Sequence, residues 1–332
     1  MAEAAGAKDS AGTLNKKHFD DEKHAHHYDN ESSIEMSRVV VKHILAYTHP
    51  ALTLPPGHNG VRIGADGEPL TAESESESES DSNEEEENVN AFWKHARVLD
   101  FAAGTGLISQ HLLWHIDAIV GVDISTEMIK LYNQKRDNQG VSASAMAGYV
   151  ADLFEPREAW QPAVQKAVAP GFDAAVCSLA YHHIDDTDQA SRVLFSALRP
   201  GGWAFVADLA QGTLEDFGAQ KPVSSHGHDH GSGVVPHKGG FTPAELEASF
   251  TTAGFINVSA QSVFNVKLWT DDEGLKRIRG HYAQADIISD TVRYGVRVFD
   301  QRQDSATGVT KYLIKRKMLL AVGQKPREWT LA

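Results

Sequence analysis

Three carboxylates in this 332-residue sequence each close a short apolar run. Asp100 ends Val98-Leu99-Asp100, Asp123 follows Ala118-Ile119-Val120-Gly121-Val122, and Asp152 follows the run from Met146 to Val150. After Asp100 comes Phe101-Ala102-Ala103-Gly104-Thr105-Gly106, a stretch poor in large side chains. Small residues let the backbone approach a ligand closely, and glycine also tolerates positive φ. Asp123 stands nineteen residues beyond Gly104. An acid there, at the tip of a second parallel strand, sits where a ribose diol is held. A different chemistry belongs to Tyr181-His182-His183. Histidine titrates near neutral pH and takes a proton from a phenol, enol or amine.

These groups need a scaffold, and the apolar pattern supplies one. Leu107, Ile108, His111, Leu112 and Leu113 recur at helical spacing, so the first run reads as strand, tight turn, helix. The N-terminus of that helix offers unpaired N–H groups to a carboxylate or phosphate. Taken alone this is equally an ordinary strand-to-helix connection. The continuation decides. A fourth run spans Phe172 to Leu179, and Leu198-Arg199-Pro200-Gly201-Gly202 turns into a fifth, Trp203 to Leu209. Five strands alternating with helices predict an α/β doubly wound parallel sheet whose ligands lie beyond the strands' carboxyl ends.

Helix punctuation agrees. Ser32-Ser33-Ile34-Glu35 has the form of a capping box before a helix to about Tyr47. Ser125 or Thr126 caps a helix ending near Gly140, and Thr242-Pro243 opens one ending at Gly254. Ala190, Val193, Leu194, Ala197 and Leu198 make an apolar face against the sheet. Phe255 to Leu268 and Tyr312 to Val322 read as two further strands.

VLDFAAGTG, GVDISTEMI, VADLF, FDAAVCSLAYHHI and LRPGG, in that order, resemble the class I S-adenosylmethionine-dependent methyltransferases. Within them the chain is most similar to small-molecule methyltransferases of the ubiquinone/menaquinone-biosynthesis type. The resemblance is strong over about residues 95–210 and looser outside. It implies a Rossmann-like seven-stranded sheet, parallel with an antiparallel edge pair, and S-adenosylmethionine as cofactor. It also implies that Asp100 braces the glycine turn or meets the cofactor's amino group, and that Gly104, Thr105 and Gly106 line the methionine portion. Asp123 takes the ribose; Ile124 and Met128 are either core or adenosine contacts. Asp152 accepts from the adenine amino group or else caps a helix. The Leu153 N–H reaches a ring nitrogen, and Ser178 counts among the cofactor contacts. The family's first glycine after the motif acid is Ala102 here. Alanine permits close approach if its φ stays negative, so binding is expected to survive. The GxGxxG dehydrogenase fingerprint is absent.

In the resembled family, Tyr181, His182 and His183 stand where the departing methyl meets the acceptor. Two adjacent side chains do not easily aim at one ligand, so one of the histidines is expected to act as base. The structural alternative is that one caps the next helix or ties the loop. The Asn/Asp-Pro-Pro-Tyr/Phe sequence of adenine-N6 and glutamine methyltransferases is missing at this strand end. Cys177, the sole cysteine, lies inside an apolar run with no preceding proline. It reads as a core residue, neither a cytosine-C5 nucleophile nor a disulfide partner.

Forty-five acids against thirty-one Lys and Arg give a net charge of −14. Nine of those acids fall in residues 71–90 without a base, so −14 minus −9 leaves −5 for the rest. A modestly acidic body speaks against a phosphate-backbone binder, so no nucleic-acid partner is expected. No run of eighteen apolar residues is present, so no membrane span is expected. The N-terminal residues lack a basic n-region and an apolar h-region, and a cytoplasmic, alternatively nuclear, location follows as an expectation. Residues 1–15 are expected to be disordered, 16–54 to form an N-terminal cap helix region, and 55–92 a disordered acidic insertion. A methyltransferase domain is expected over 93–332, with a lid loop at 210–240 and an insertion at 270–308. In the cap region, Tyr28 is expected to act as a lid over the cofactor. His24, His26 and His27, and His226, His228, His230 and His237, have spacings that permit metal capture, but no resident metal is predicted. Arg279, His281, Tyr282 and Arg293 are candidates for touching substrate or a partner.

The expectation is a methyltransferase acting on a small-molecule acceptor. Two competing readings are a protein methyltransferase docking a partner through the acidic insertion or residues 270–308, and a non-catalytic cofactor-binding subunit.

Overall fold

The structure is a computed structural model that describes residues 11–22, 25, 28–54, 62–70, 90–211, 235–237, 239–279, 292–293, 296–305 and 307–328. Five parallel strands carry the fold: β1 (Arg97–Phe101), β2 (Ala118–Asp123), β3 (Met146–Val150), β4 (Phe172–Ser178) and β5 (Leu198–Leu209). The near-continuous burial of β1, β2 and β4 explains their near-unbroken apolar runs, since helices cover both faces. β6 (Ile256–Thr270) and β10 (Thr310–Gln324) complete the sheet in the order β3-β2-β1-β4-β5-β10-β6. β10 is inserted between β5 and β6 and runs antiparallel to both. The sheet has one strand more than the expected seven, because β9 (Asp300–Gln303) pairs with the start of β10. Inside the 270–308 insertion, β7 (Val292–Arg293) and β8 (Val296–Arg297) form a separate two-stranded ribbon.

On one face lie α2 (Glu31–Leu45), through Val40, Val41 and Ile44, and the inward residues of β1, β5, β6 and β10. On the other lie α5 (Pro162–Val168), α6 (Thr187–Ala197) and α7 (Pro243–Ala253). α2 is capped by Asn30, which accepts the Ser33 N–H at 3.1 Å, so the expected Ser-Ser-Ile-Glu box lies inside the helix instead. Ser125 caps α4 (Thr126–Asn138), Asp186 caps α6, and Thr242 with Glu245 forms a capping box on α7.

Two segments read as unstructured are built into the domain. α1 occupies Ala11–Phe19, so a helix begins inside the expected 1–15 tail. Asn15 on it is buried, which only a docked helix permits. Residues 62–70 belong to the expected insertion, yet Ala65 is fully buried and donates to Ser144 O at 2.6 Å. The buried Arg97 guanidinium holds them there, donating to Gly64 O at 3.2 Å and Ala167 O at 2.6 Å while lying over the Phe172 ring. Phe92 and Trp93 are also buried, so the packed chain resumes before residue 93. Residues 71–89, His24, His26, His27, His226, His228, His230, His281 and Tyr282 lie outside the described residues. No helix among the described residues is long and apolar enough to cross a membrane.

Candidate functional site

Beyond the carboxyl ends of β1 to β4 lies a cavity of about 310 Å³, at the small end of the range for ligand sites. Its floor is the turn after β1. Gly104 sits at φ +53, and a Cβ placed on it would meet nothing nearer than Tyr28 Cε1 at 3.9 Å, so the turn leaves open space above its backbone. Ala102 also lines the cavity, but at φ +56, against the expectation of a negative angle. Leu179, which lines the cavity just after β4, has φ +55. Two side-chain-bearing residues therefore hold left-handed backbone after the adjacent strands β1 and β4, the kind of strain that collects at ligand sites.

Asp123 fixes the shape of the turn. Its carboxylate accepts the Gly104 N–H at 2.9 Å and the Ser125 N–H at 2.8 Å. Burial pushes its carboxyl up, and those backbone donors oppose the shift. Ile124, Met128, Asp152, Leu153 and Ser178 line the same cavity. Asp152 accepts the Phe154 N–H at 2.9 Å, closing a tight turn at the rim and not capping an α-helix.

Asp100, Thr105 and Gly106 are not on the wall. Asp100 is buried under the turn, where it accepts from Ser109 Oγ at 2.7 Å, and burial raises its carboxyl to about 7. Through Ser109 it braces the start of α3 (Leu107–Leu112), and it does not line the cavity. Thr105 is buried with its hydroxyl donating to Asp29, which also pairs with Lys135 and so ties the N-terminal segment to the turn. Gly106 is backed by Tyr132, whose ring fills the space a Cβ would need.

The catalytic candidates divide. His183 lines the cavity, its ring 5.6 Å from that of Phe19. His182 turns to β5, where its Nδ1 lies 2.7 Å from the Asp208 carboxylate. Burial would raise the Asp208 carboxyl, but the neighbouring His182 and its hydrogen bonds outweigh this and hold it below its ordinary range. Tyr181 is fully buried, with its hydroxyl 3.3 Å from Ser191 Oγ, so it belongs to the packing and not to the cavity.

Sequence reasoning missed what α1 contributes. Gly12, Asn15 and Phe19 close the cavity from above. Asn15 donates through Nδ2 to His183 O at 2.8 Å, and a carbonyl can only accept, so the amide orientation is fixed. That leaves Oδ1 buried without a hydrogen-bond partner. Tyr28 joins it in the roof, and burial followed by the charges of Asp123, Asp208 and Asp29 pushes its hydroxyl up to about 12. It is thus a neutral donor at physiological pH. Cys177 is buried with its thiol raised, consistent with a core residue. Among the described residues no three His, Cys, Asp or Glu side chains are grouped to hold a metal ion. Arg293 is engaged with Asp272 at 3.5 Å.

A family model described as a methyltransferase domain matches residues 99–204. An uncharacterized methyltransferase of Schizosaccharomyces pombe is 32% identical over 256 residues, covering 75% of this chain and 82% of that one. The ubiquinone biosynthesis O-methyltransferase of Xanthomonas axonopodis pv. citri is 27% identical over 164 residues. That match takes in 48% of this chain and 62% of the relative, less than two thirds of its length. Among solved structures, the YcgJ protein of Bacillus subtilis superposes with a TM-score of 0.46 at 18% identity, covering 70% of this chain and 93% of that one.

Proposed function

This chain belongs to the methyltransferase family, and from that premise we propose that it uses S-adenosylmethionine to methylate a small-molecule acceptor. The observation that carries the proposal is one cavity lined by Gly104, Asp123, Asp152 and Leu153 together with Tyr28 and His183. The residues present fit the cofactor. The open backbone at Gly104 accepts a charged amino-acid tail, Asp123 stands at a strand tip for a diol, and Asp152 with Leu153 frames a planar base. When bound, S-adenosylmethionine supplies an already activated methyl group.

What remains for the protein is alignment, exclusion of water and disposal of a proton. Phe19 and Tyr28 roof the cavity and keep water out. His183 is the base: it lines the cavity beside the acceptor's approach and takes the proton of a hydroxyl or amine as attack proceeds. Asn15 sets the His183 backbone through its 2.8 Å hydrogen bond. The His182–Asp208 pair positions the loop from beneath, with the His182 N–H also donating to Asp208 at 3.3 Å. Ubiquinone O-methyltransferases among the relatives support a small acceptor of this kind.

Calorimetry with S-adenosylmethionine and S-adenosylhomocysteine tests the cofactor, and saturable binding of both is expected. Incubation of a metabolite extract with methyl-labelled cofactor, followed by mass analysis, tests the acceptor. Absence of cofactor binding removes the proposal; label appearing only in protein replaces it with a protein methyltransferase.

A further inference from the structure

We propose that Arg316 is the anchor for an oxyanion, a carboxylate or phosphate, carried by the methyl acceptor; this rests on the methyl-transfer function above. Arg316 lies in β10 and is 8% exposed. Its Nη1 has no hydrogen-bond partner, and among the described residues no carboxylate pairs with it. The surroundings make this costly. Across the sheet it faces Val266, and along its own strand Ile314 and Met318 share its face, all three fully buried. A guanidinium carries five donors and a permanent charge, and burying it without a partner is unfavourable.

Neighbouring cations are not left in this condition. Lys311 pairs with Glu31 and Asp304, and Arg293 with Asp272. Arg302 reaches Glu31 and lies over Trp269, and Lys315 lies over Phe299. Among the described residues, Arg316 alone of this group sits in an apolar setting with no carboxylate or ring to neutralise it.

Its place in the sheet identifies the missing partner. Met318 pairs with Leu209 and Lys317 O accepts the Ala210 N–H at 3.0 Å, so Arg316 stands level with Gln211, past the carboxyl end of β5. That is the ligand edge of an open α/β sheet. The face is that of α2, the helix that follows Tyr28 of the cavity roof. From β1, whose turn serves the cofactor, β10 is three strands away in the order β1-β4-β5-β10, roughly 14 Å at the usual strand spacing. An anion at Arg316 is therefore not the cofactor's own carboxylate. It belongs to the acceptor, and it stands well away from the accepting atom. Guanidinium takes a carboxylate or phosphate through two parallel hydrogen bonds, which fixes orientation as well as charge.

Thermal unfolding of the full chain in sodium benzoate, phenyl phosphate or phenol, at ionic strength matched with sodium chloride, tests this. One or both oxyanions are expected to raise Tm by several degrees where phenol does not, and comparing the two distinguishes carboxylate from phosphate. Arg316→Met is expected to be at least as stable as the parent, to lose the oxyanion response, and to bind S-adenosylhomocysteine with unchanged affinity. Arg316→Lys is expected to keep part of the response and serves if the methionine variant does not fold. No oxyanion response in the parent, or the same response in Arg316→Met or in a folded Arg316→Gln, overturns the proposal. Failure of the parent to bind S-adenosylhomocysteine instead removes the methyl-transfer function on which it rests, whatever the oxyanions do.

Discussion

Tyr132 donates its phenol O–H to Ser109 Oγ at 2.8 Å, and Ser109 in turn donates to Asp100 at 2.7 Å. The chain of three runs beneath the ligand turn and never reaches the cavity. Its ring end is clasped by glycines from three elements. A Cβ at Gly106, Gly121 or Gly148 would lie 2.6, 2.5 or 2.6 Å from a Tyr132 ring carbon. Three glycines spaced along the sequence thus share one steric cause.

Gly121→Ala isolates that cause, because Gly121 is not among the residues at positive φ. Overpacking is expected to destabilise the fold by ~2 kcal/mol. Adding Tyr132→Leu opens the slot, so the two changes should be strongly non-additive in chemical denaturation. Simple additivity in the double-mutant cycle is the result that counts against the slot.

Asp100 makes stability depend on pH with a definite sign. Its folded-state carboxyl lies at about 7, raised by burial above the ordinary carboxylate range. The folded state therefore holds the proton more tightly than the unfolded one. The resulting stability is fully present below about pH 4 and is lost as pH rises through about 7, by up to ~4 kcal/mol. Asp100→Asn carries no such titration. The Tm difference between Asp100→Asn and the parent should grow from pH 4 to 7 and level off above; a flat difference contradicts it.

Ala102 carries strain that glycine does not. Relief of its φ of +56° is offset in part by the greater unfolded-state freedom of glycine. Ala102→Gly should therefore gain about 0.5–1 kcal/mol in urea denaturation. Affinity for S-adenosylhomocysteine should be retained, since the turn keeps its shape.

The adjacent histidines should fail in different ways. His183→Ala is expected to lower turnover ~100-fold or more while leaving cofactor affinity intact, the pattern of a lost base. His182→Ala leaves the fully buried Asp208 carboxylate without its partner and should cost about 3–5 kcal/mol of stability. Steady-state kinetics beside thermal unfolding separates them. Full turnover in both variants would exclude acid–base chemistry by this pair.

The parallel strands and part of the cavity wall were legible because each rests on local pattern. Apolar runs ending in acids placed Asp123 and Asp152, and a side-chain-poor turn placed Gly104. The rest depended on where side chains turn. Asp100 and Asp123 look alike in sequence, yet one lies under the turn and one beside it. His182 and His183 are consecutive, and only three-dimensional placement gives one to Asp208 and the other to the cavity. The contribution of α1 was hidden because its polar, short sequence carries little apolar periodicity and gains its burial from docking. Residues 62–70 were hidden for a similar reason. Their anchor is Arg97, a charged residue inside a strand, which composition alone assigns to no core.

The order of strands sets a schedule for synthesis. Among the described residues β6 joins the sheet only through β10, which arrives about forty residues later in the chain. Until the ribosome has released residue 324, β6 has no edge to zip onto and the open flank of β5 is uncovered. Such distant pairing is slow to form and leaves a nascent chain exposed to aggregation, so the final strand is the one whose truncation a cell's quality control should notice most.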